Sequence, residues 1–200
     1  MADPTRTLDL RLVDGRTFHA GLRRAHRPGE VVRTVDGRER ALPTLFYEVP
    51  SWEAAVATAL TPHFSLYEFV SVDVHEDAAA RAWPRYVPCA VVQLATALEV
   101  LRVVLDERVL IAANGGYRSP AHGLDGDRLS AHAWATAADL YRVGDVWLEE
   151  GGALAELRDV IAEALPGVWV APFGSGPGET DDHLHLDLGF AVASPHGAPA

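Results

Sequence analysis

The chain of 200 residues contains one cysteine and no lysine, so that all 17 of its basic residues are arginine. The single cysteine, Cys89, cannot form a disulfide within the chain, and no Cys-x-x-Cys pair is present to hold a metal or to run redox chemistry. Any metal must therefore be held by histidine and carboxylate side chains. We take the absence of lysine as a compositional bias without functional content.

Long apolar runs are also absent from the sequence. No stretch approaches the roughly 18 residues that a membrane-spanning helix requires, and residues 1–12 contain no continuous apolar segment of the kind found in signal peptides. We therefore expect no membrane insertion, and we expect the chain as written to be cytoplasmic. Apolar residues make up 48% of the chain and charged residues 22%, which is typical of a globular fold with a core.

The net charge of −11 is unevenly distributed. Residues 1–40 contain nine arginines and six acidic residues and carry +3, so the remaining 160 residues carry −14. No cluster of arginines interleaved with aromatic residues occurs in this acidic part. We therefore expect no nucleic-acid partner, and a solvated face is the simplest interpretation of the basic segment.

The pattern of residues 5–50 predicts a run of short strands. Leu8, Leu10 and Leu12 alternate with polar residues. Asp14-Gly15 and Asp36-Gly37 are typical of hairpin turns, and residues 44–49 predict another strand. The N-terminal segment is therefore predicted to be a β-rich extension over residues 1–50.

Helical patterns follow this segment. Ser51 can cap a helix that continues to Leu60, and Ser65 and Glu68 have the spacing of a capping box with Phe64 and Phe69 as its hydrophobic staple. The longest predicted helix covers residues 88–107. The other predicted elements are strands over residues 108–113, 137–143, 168–170 and 183–190 and a helix over residues 154–165. This order favours an α+β domain with a mainly antiparallel sheet and flanking helices.

The last predicted strand carries the strongest chemical signal. Leu184, Leu186 and Leu188 lie on one face of a strand, while His183, His185 and Asp187 lie on the other. A leucine face packs on the core, so two imidazoles and a carboxylate face a cleft or water. A solvated outer face with incidental histidines is the alternative interpretation.

A second cluster lies upstream, where His132 and Asp139 are separated by mostly small residues. Small side chains allow a loop to fold tightly against a strand, so the imidazole and the carboxylate can converge. His132, Asp139 and His185 together would supply three ligands and leave a fourth position open, as in catalytic zinc sites. Taken by itself, the upstream cluster is also compatible with a buried histidine bonded to an aspartate in a capped turn.

The motifs Ser130-x-His132, Ala137-x-Asp139 and His183-x-His185 resemble those of the zinc D-Ala-D-Ala carboxypeptidases of the hedgehog/DD-peptidase fold. That family has Ser-x-His-x-x-Gly-x-Ala-x-Asp followed by His-x-His. Three further pieces match in the same order: FSLYEF at residues 64–69, the long helix ending near Leu105, and GYRSP at residues 116–120. The resemblance covers roughly residues 60–190, and several separated motifs are more specific than any one of them.

The resemblance implies one zinc ion per chain, held by His132, Asp139 and His185. It also implies that Arg118 orients the substrate, since a guanidinium can grip a terminal carboxylate with two hydrogen bonds. Tyr117 and Ser130 are further candidates for substrate binding, although Ser130 can equally brace its loop. Zinc would acidify a water and polarise the scissile carbonyl. Either Asp182 or His183 would then be the base, and His183 can instead stabilise the developing oxyanion.

Two departures from the family pattern stand out. Ala135 occupies the position of the family glycine, a change that a tight turn tolerates unless the backbone φ must be positive. His122 and Gly123 stand where the family often has an asparagine.

After the extension we expect a zinc peptidase-like domain over residues 51–190 and a loose tail over residues 191–200, where the sequence has little to bury. We expect a zinc metallopeptidase that hydrolyses short peptidoglycan-type peptides, either in the cytoplasm or as a phage-type lysin released to the cell wall. The alternatives are an inactive, zinc-stabilised binding module on the same scaffold and a metal-free structural domain.

Overall fold

The computed structural model of the chain describes residues 8–123, 126–148, 151–176 and 178–196. Residues 1–7 of the predicted extension and residues 197–200 of the predicted tail lie outside the described residues. Within these ranges, ten strands and six α-helices form an α+β fold in which the paired strands are antiparallel. The predicted fold class is therefore confirmed at this level.

The elements follow one another in chain order. They are β1 (Leu12–Asp14), α1 (Ala20–His26), β2 (Val31–Arg33), β3 (Glu39–Ala41), β4 (Leu45–Val49), α2 (Trp52–Ala57), α3 (Leu66–Val70), α4 (Ala78–Arg81), β5 (Arg85–Pro88), α5 (Val91–Leu105), β6 (Val109–Ile111), β7 (Ala137–Val143), β8 (Val146–Trp147), α6 (Gly151–Ala164), β9 (Trp169–Val170) and β10 (Leu184–Asp187). Among the helices that the structure describes, none combines the length and the apolar character that a bilayer span requires.

Two sheets and a separate hairpin organise these strands. The first sheet has the order β1-β4-β5, and the second has the order β6-β7-β10-β9 with β8 folded back on β7. One face of the second sheet is apolar, because Leu140, Leu184 and Leu186 are buried in the same core as Leu94 and Leu98 of α5. The opposite face is therefore the one on which polar side chains of β7 and β10 are displayed.

Several predicted elements are confirmed. The Asp36-Gly37 turn joins β2 to β3, and Ser51 caps α2, which ends at Ala57 rather than Leu60. The capping box of α3 is present, since the Ser65 backbone N–H donates to Glu68 Oε1 over 2.8 Å. The long helix and strands β6, β7, β9 and β10 also lie where the pattern predicts them, with ends that differ by up to a few residues, whereas β8 is not among the predicted strands.

The prediction of strands throughout residues 5–50 is wrong at three places. Leu8 and Leu10 precede the first strand, which begins only at Leu12. At Asp14 the chain enters a 3₁₀ turn rather than a hairpin, because the Asp14 carboxylate accepts a hydrogen bond from the Arg16 backbone N–H. Helix α1 follows, capped by the His19 imidazole, which accepts from the N–H groups of Gly21 and Leu22. Leu22 is buried in the core on the inner side of this helix.

The start of the long helix also differs from its prediction. Pro88 is the last residue of β5, where it pairs with Phe46, and α5 begins three residues later at Val91. Strand β5 was not predicted, because its four residues lack an alternating apolar pattern. This strand joins β4 to the later part of the chain, and Phe18, Phe46 and Val87 lie in one core with the leucines of α5.

Candidate metal centre

Strands β7 and β10 place two of the predicted ligands opposite each other. His185 pairs directly with Asp139 in the antiparallel register, and side chains at opposed positions project from the same face about 5 Å apart. The neighbouring residues Ala138, Leu140, Leu184 and Leu186 turn to the core and are buried. The predicted alternation of β10 is therefore confirmed, and it carries His185 to the polar face.

His132 reaches the same point from a tight turn. Residues Ala131–Trp134 form a single 3₁₀ turn, closed where Ala135 N–H donates to the His132 carbonyl over 3.0 Å. Ala135 then adopts the left-handed conformation with φ 56°, which turns the chain into β7. A positive φ, which favours glycine, is therefore present at the position where the resembling family has glycine, and in this chain alanine adopts it.

The ligand atoms of the three residues converge. His132 Nε2 lies 3.1 Å from Asp139 Oδ1 and 3.2 Å from His185 Nδ1, while His185 Nδ1 lies 2.7 Å from Asp139 Oδ1. In a tetrahedral zinc site with bonds of about 2.0–2.1 Å, neighbouring ligand atoms lie about 3.3 Å apart. These donors therefore fit zinc after movements of a few tenths of an ångström, with a fourth position left for another ligand.

Both imidazoles are held in the orientation that metal binding requires. His132 Nδ1–H donates to the Gly116 carbonyl over 2.7 Å, which leaves Nε2 for the metal. His185 Nε2–H donates to Asp187 Oδ2 over 3.3 Å, which leaves Nδ1. Such outer partners commonly fix the tautomer of a metal-binding histidine.

The sequence interpretation did not assign a role to either outer partner. The alternation of β10 does place Asp187 on the face of His185. A backbone carbonyl such as that of Gly116 leaves no signal in residue type. Gly116 itself is required by packing, since a Cβ there would lie 2.5 Å from the Phe69 carbonyl oxygen.

The electrostatics of the group favour bound positive charge. Burial lowers the pKa of His132 despite the opposing attraction of Asp139, which favours a neutral imidazole. Burial alone would raise the pKa of Asp139, but His132 and His185 outweigh it and hold that pKa well below its usual range. Burial would likewise lower the pKa of His185, yet Asp139 and Asp187 raise it to about 9. The carboxylates of Asp139 and Asp187 that stabilise a proton on His185 can equally stabilise a metal cation that replaces this proton.

Two further predicted residues lie beside Asp139. Arg118 Nη1 is 3.6 Å from Asp139 Oδ2, and its side chain is only 14% exposed. His183 Nε2 is 3.5 Å from Asp139 Oδ1, while His183 Nδ1–H donates to Asp182 Oδ1 over 2.5 Å. The Asp182 side chain is 78% exposed and contacts the ring nitrogen of His183 farther from Asp139. The imidazole, rather than the Asp182 carboxylate, is therefore the group directed at the centre.

The remaining two candidates for substrate binding lie differently. The Tyr117 side chain is buried, and its hydroxyl lies within hydrogen-bonding distance of His26 Nδ1, at 2.6 Å. The two rings are stacked with their centroids 5.9 Å apart. Direct contact with substrate is therefore not assigned to Tyr117. Ser130 precedes the 3₁₀ turn that carries His132, and its carbonyl accepts from Ala133 N–H over 3.2 Å, which places it where it can brace the loop.

Comparison of the chain with models of protein families, with curated proteins and with solved structures found no match.

Proposed function

We propose that the protein is a zinc metallopeptidase that hydrolyses short peptidoglycan-type peptides, as a D-Ala-D-Ala carboxypeptidase or dipeptidase does. The observation that carries this proposal is the convergence of His132, Asp139 and His185, whose ligand atoms all lie within 4.8 Å of one another. The motif resemblance to the hedgehog/DD-peptidase fold supports the substrate class. One zinc ion per chain is the proposed cofactor.

The residues around the centre have distinct proposed roles. Zinc bound there would lower the pKa of a water molecule and polarise the scissile carbonyl. The Arg118 side chain is largely buried, and this burial restricts the movement of its guanidinium. The guanidinium can donate two hydrogen bonds to a substrate carboxylate. Trp169 lies with its ring 5.7 Å from that of His185 and is half exposed, so it can contact a peptide bound at the centre.

His183 is the proposed base, with Asp182 as its positioning residue. The hydrogen bond from Nδ1–H to Asp182 leaves Nε2 as the basic nitrogen, and Nε2 lies on the side of Asp139. Nε2 can therefore accept a proton from the attacking water and deliver it to the leaving amine. This arrangement favours His183 over Asp182, the two candidates that the sequence left open.

Elemental analysis of the purified protein tests the cofactor. We expect about one zinc ion per chain in the native protein and in Asp159→Asn, which changes an exposed carboxylate of α6. We expect the zinc to be lost in Asp139→Ala. Absence of zinc from the native protein, even after zinc is added at neutral pH, would overturn the proposal.

Release of D-alanine from diacetyl-Lys-D-Ala-D-Ala tests the reaction. We expect release by the native protein and a fall of about 100-fold or more in His183→Gln, since general base catalysis contributes about 10²–10⁴. Asp182→Asn should give a smaller fall with zinc retained. If zinc is bound and the native protein releases no D-alanine, the inactive binding module becomes the better explanation. Release that neither substitution changes would refute the assignment of His183 and Asp182 to the reaction.

A further inference from the structure

A cavity of about 400 Å³ opens beside the candidate metal centre, at the edge of the second sheet. Strand β6 is the edge strand there, because among the described strands it pairs with β7 alone. The facing wall comes from α3 and the residue after it, which contribute Tyr67, Glu68 and Ser71. Tyr141 of β7 and Ala112, which follows β6, also line the cavity.

The cavity begins one strand away from the metal ligands. The Ala112 backbone N–H donates to the Asp139 carbonyl over 2.9 Å, so the end of β6 lies directly beside that ligand. Tyr141 lies two residues from Asp139 along β7, a separation of about 7 Å in a strand. An extended peptide held at the metal centre therefore needs only two or three residues to reach the cavity.

An irregularity in the sheet directs Tyr141 into this cavity. The register between β6 and β7 pairs Leu110 with Arg142 and Ile111 with Leu140, so Tyr141 has no partner on β6. A bulge of this kind re-aims the side chain of the extra residue. Tyr141 and Tyr67 thus present aromatic rings at the cavity wall.

Glu68 gives the cavity its charge. Its Oε1 accepts from the Ser65 backbone N–H and hydroxyl, whereas Oε2 has no hydrogen-bond partner among the described residues. Burial raises the pKa of Glu68 in spite of these bonds from Ser65, because the charge is only partly compensated. No arginine, lysine or histidine occurs among the described residues that line the cavity. A carboxylate and aromatic side chains in one lining are groups that attract an ammonium ion.

We propose that this cavity is a subsite for a primary ammonium group of the peptide that occupies the metal centre, with the Glu68 carboxylate as its charge partner. The hydroxyl groups of Ser71 and of the two tyrosines supply acceptors for the remaining N–H groups. The identity of the bound molecule as a peptide rests on the proposed function. The subsite would select peptides with a free amine two or three residues from the reacting bond.

Glu68 also caps α3, and two variants separate this role from the proposed one. Glu68→Gln removes the charge but keeps the cap, because glutamine replaces glutamate in capping boxes. Ser65→Ala removes the hydroxyl of the cap but keeps the carboxylate. Thermal unfolding of both variants confirms that each remains folded at the temperature of the binding assay.

Calorimetric titration with three matched tripeptides tests the subsite. Nα-acetyl-Lys-D-Ala-D-Ala offers the side-chain amine, Nε-acetyl-Lys-D-Ala-D-Ala offers the terminal amine, and the diacetyl peptide offers neither. We expect one of the amines to tighten binding to the native protein about tenfold over the diacetyl peptide, as a charge-assisted hydrogen bond does. The peptide that shows the gain identifies which amine is bound.

The variants decide the assignment. In Glu68→Gln the preference should fall to less than about twofold, while Ser65→Ala should retain it. Equal binding of the three peptides to the native protein, or a preference that survives in Glu68→Gln, would overturn the subsite. Release of D-alanine, recorded separately, tests the proposed hydrolysis: discrimination without release contradicts only the reaction, and release without discrimination contradicts only the subsite.

Discussion

The hydrogen bond between Asp187 and His185 permits a quantitative prediction about zinc affinity. Asp187 Oδ2 lies 3.3 Å from His185 Nε2, and its other oxygen, Oδ1, accepts from the Gly189 backbone N–H over 2.6 Å. Loss of an outer partner of a metal-binding histidine typically weakens binding 10–100-fold, which corresponds to about 1.4–2.7 kcal/mol. Because the bond to His185 is long, we expect the lower end of this range when the carboxylate alone is changed.

Two substitutions at this position separate orientation from charge. Asp187→Asn keeps the shape and an oxygen that can still accept from Gly189, so we expect an approximately tenfold loss of zinc affinity. Asp187→Ala removes both contacts, and we expect the loss to approach 100-fold. Asp159→Asn, on the exposed side of α6, is the matched control and should bind zinc as the native protein does.

Competition for zinc with a fluorescent chelator at constant pH gives the affinities directly. Circular dichroism of each variant shows whether its overall secondary structure matches that of the native protein. If Asp187→Asn and Asp187→Ala both stay within twofold of the native affinity, the orientation of His185 does not depend on this carboxylate. The reasoning from the outer partners of the centre would then be refuted.

Three further predictions concern stability. Burial lowers the pKa of His26 to about 4, so His26 is neutral when folded and the stability it confers is present above pH 6.5 and lost towards pH 4. Urea unfolding measures the free energy of unfolding at pH 7 and at pH 5. The decrease between these pH values should be about 2 kcal/mol smaller in His26→Gln than in the native protein, and equal decreases would refute this prediction. Ala135 has φ 56° and is fully buried, so Ala135→Val should cost about 3 kcal/mol or more and Ala135→Gly less than about 1 kcal/mol, measured in the same way. Gly116→Ala should cost about 2 kcal/mol or more, because its Cβ would lie 2.5 Å from the Phe69 carbonyl oxygen. Gly126→Ala, whose Cβ meets no atom of the described residues within 4 Å, should change stability by less than about 0.5 kcal/mol, and similar costs for the two glycines would contradict the packing argument.

The parts of the molecule that follow from local periodicity were predictable from the sequence. Alternation in β10 placed His185 opposite a leucine face, and the spacing of Ser65 and Glu68 marked the start of α3. These signals are strong because each depends on neighbours a few residues away. The grouping of His132 with Asp139 and His185 also followed from residue type and spacing.

The features that the sequence did not reveal depend on contacts between distant segments. Helix α1 begins at a histidine cap, which is not among the preferred capping residues, within a segment that otherwise predicts strands. The Gly116 carbonyl orients His132 through the backbone, 16 positions away in the chain. The burial of Tyr117 against His26, and the position of Tyr141 without a partner on β6, are likewise set only by the assembled fold.

The sharing of one core between residues 8–50 and the later segments has a practical consequence for shortening the chain. A protein that began at residue 51 would lack β4 and leave β5 without its pairing partner. The Trp134 indole N–H would also lose its acceptor, the Ala41 carbonyl at 3.1 Å, directly behind the turn that holds His132. Truncation at this point would therefore remove contacts that support the candidate metal centre, although every proposed ligand would remain in the sequence. For expression and mutagenesis, a shortened chain should therefore keep residues 8–50.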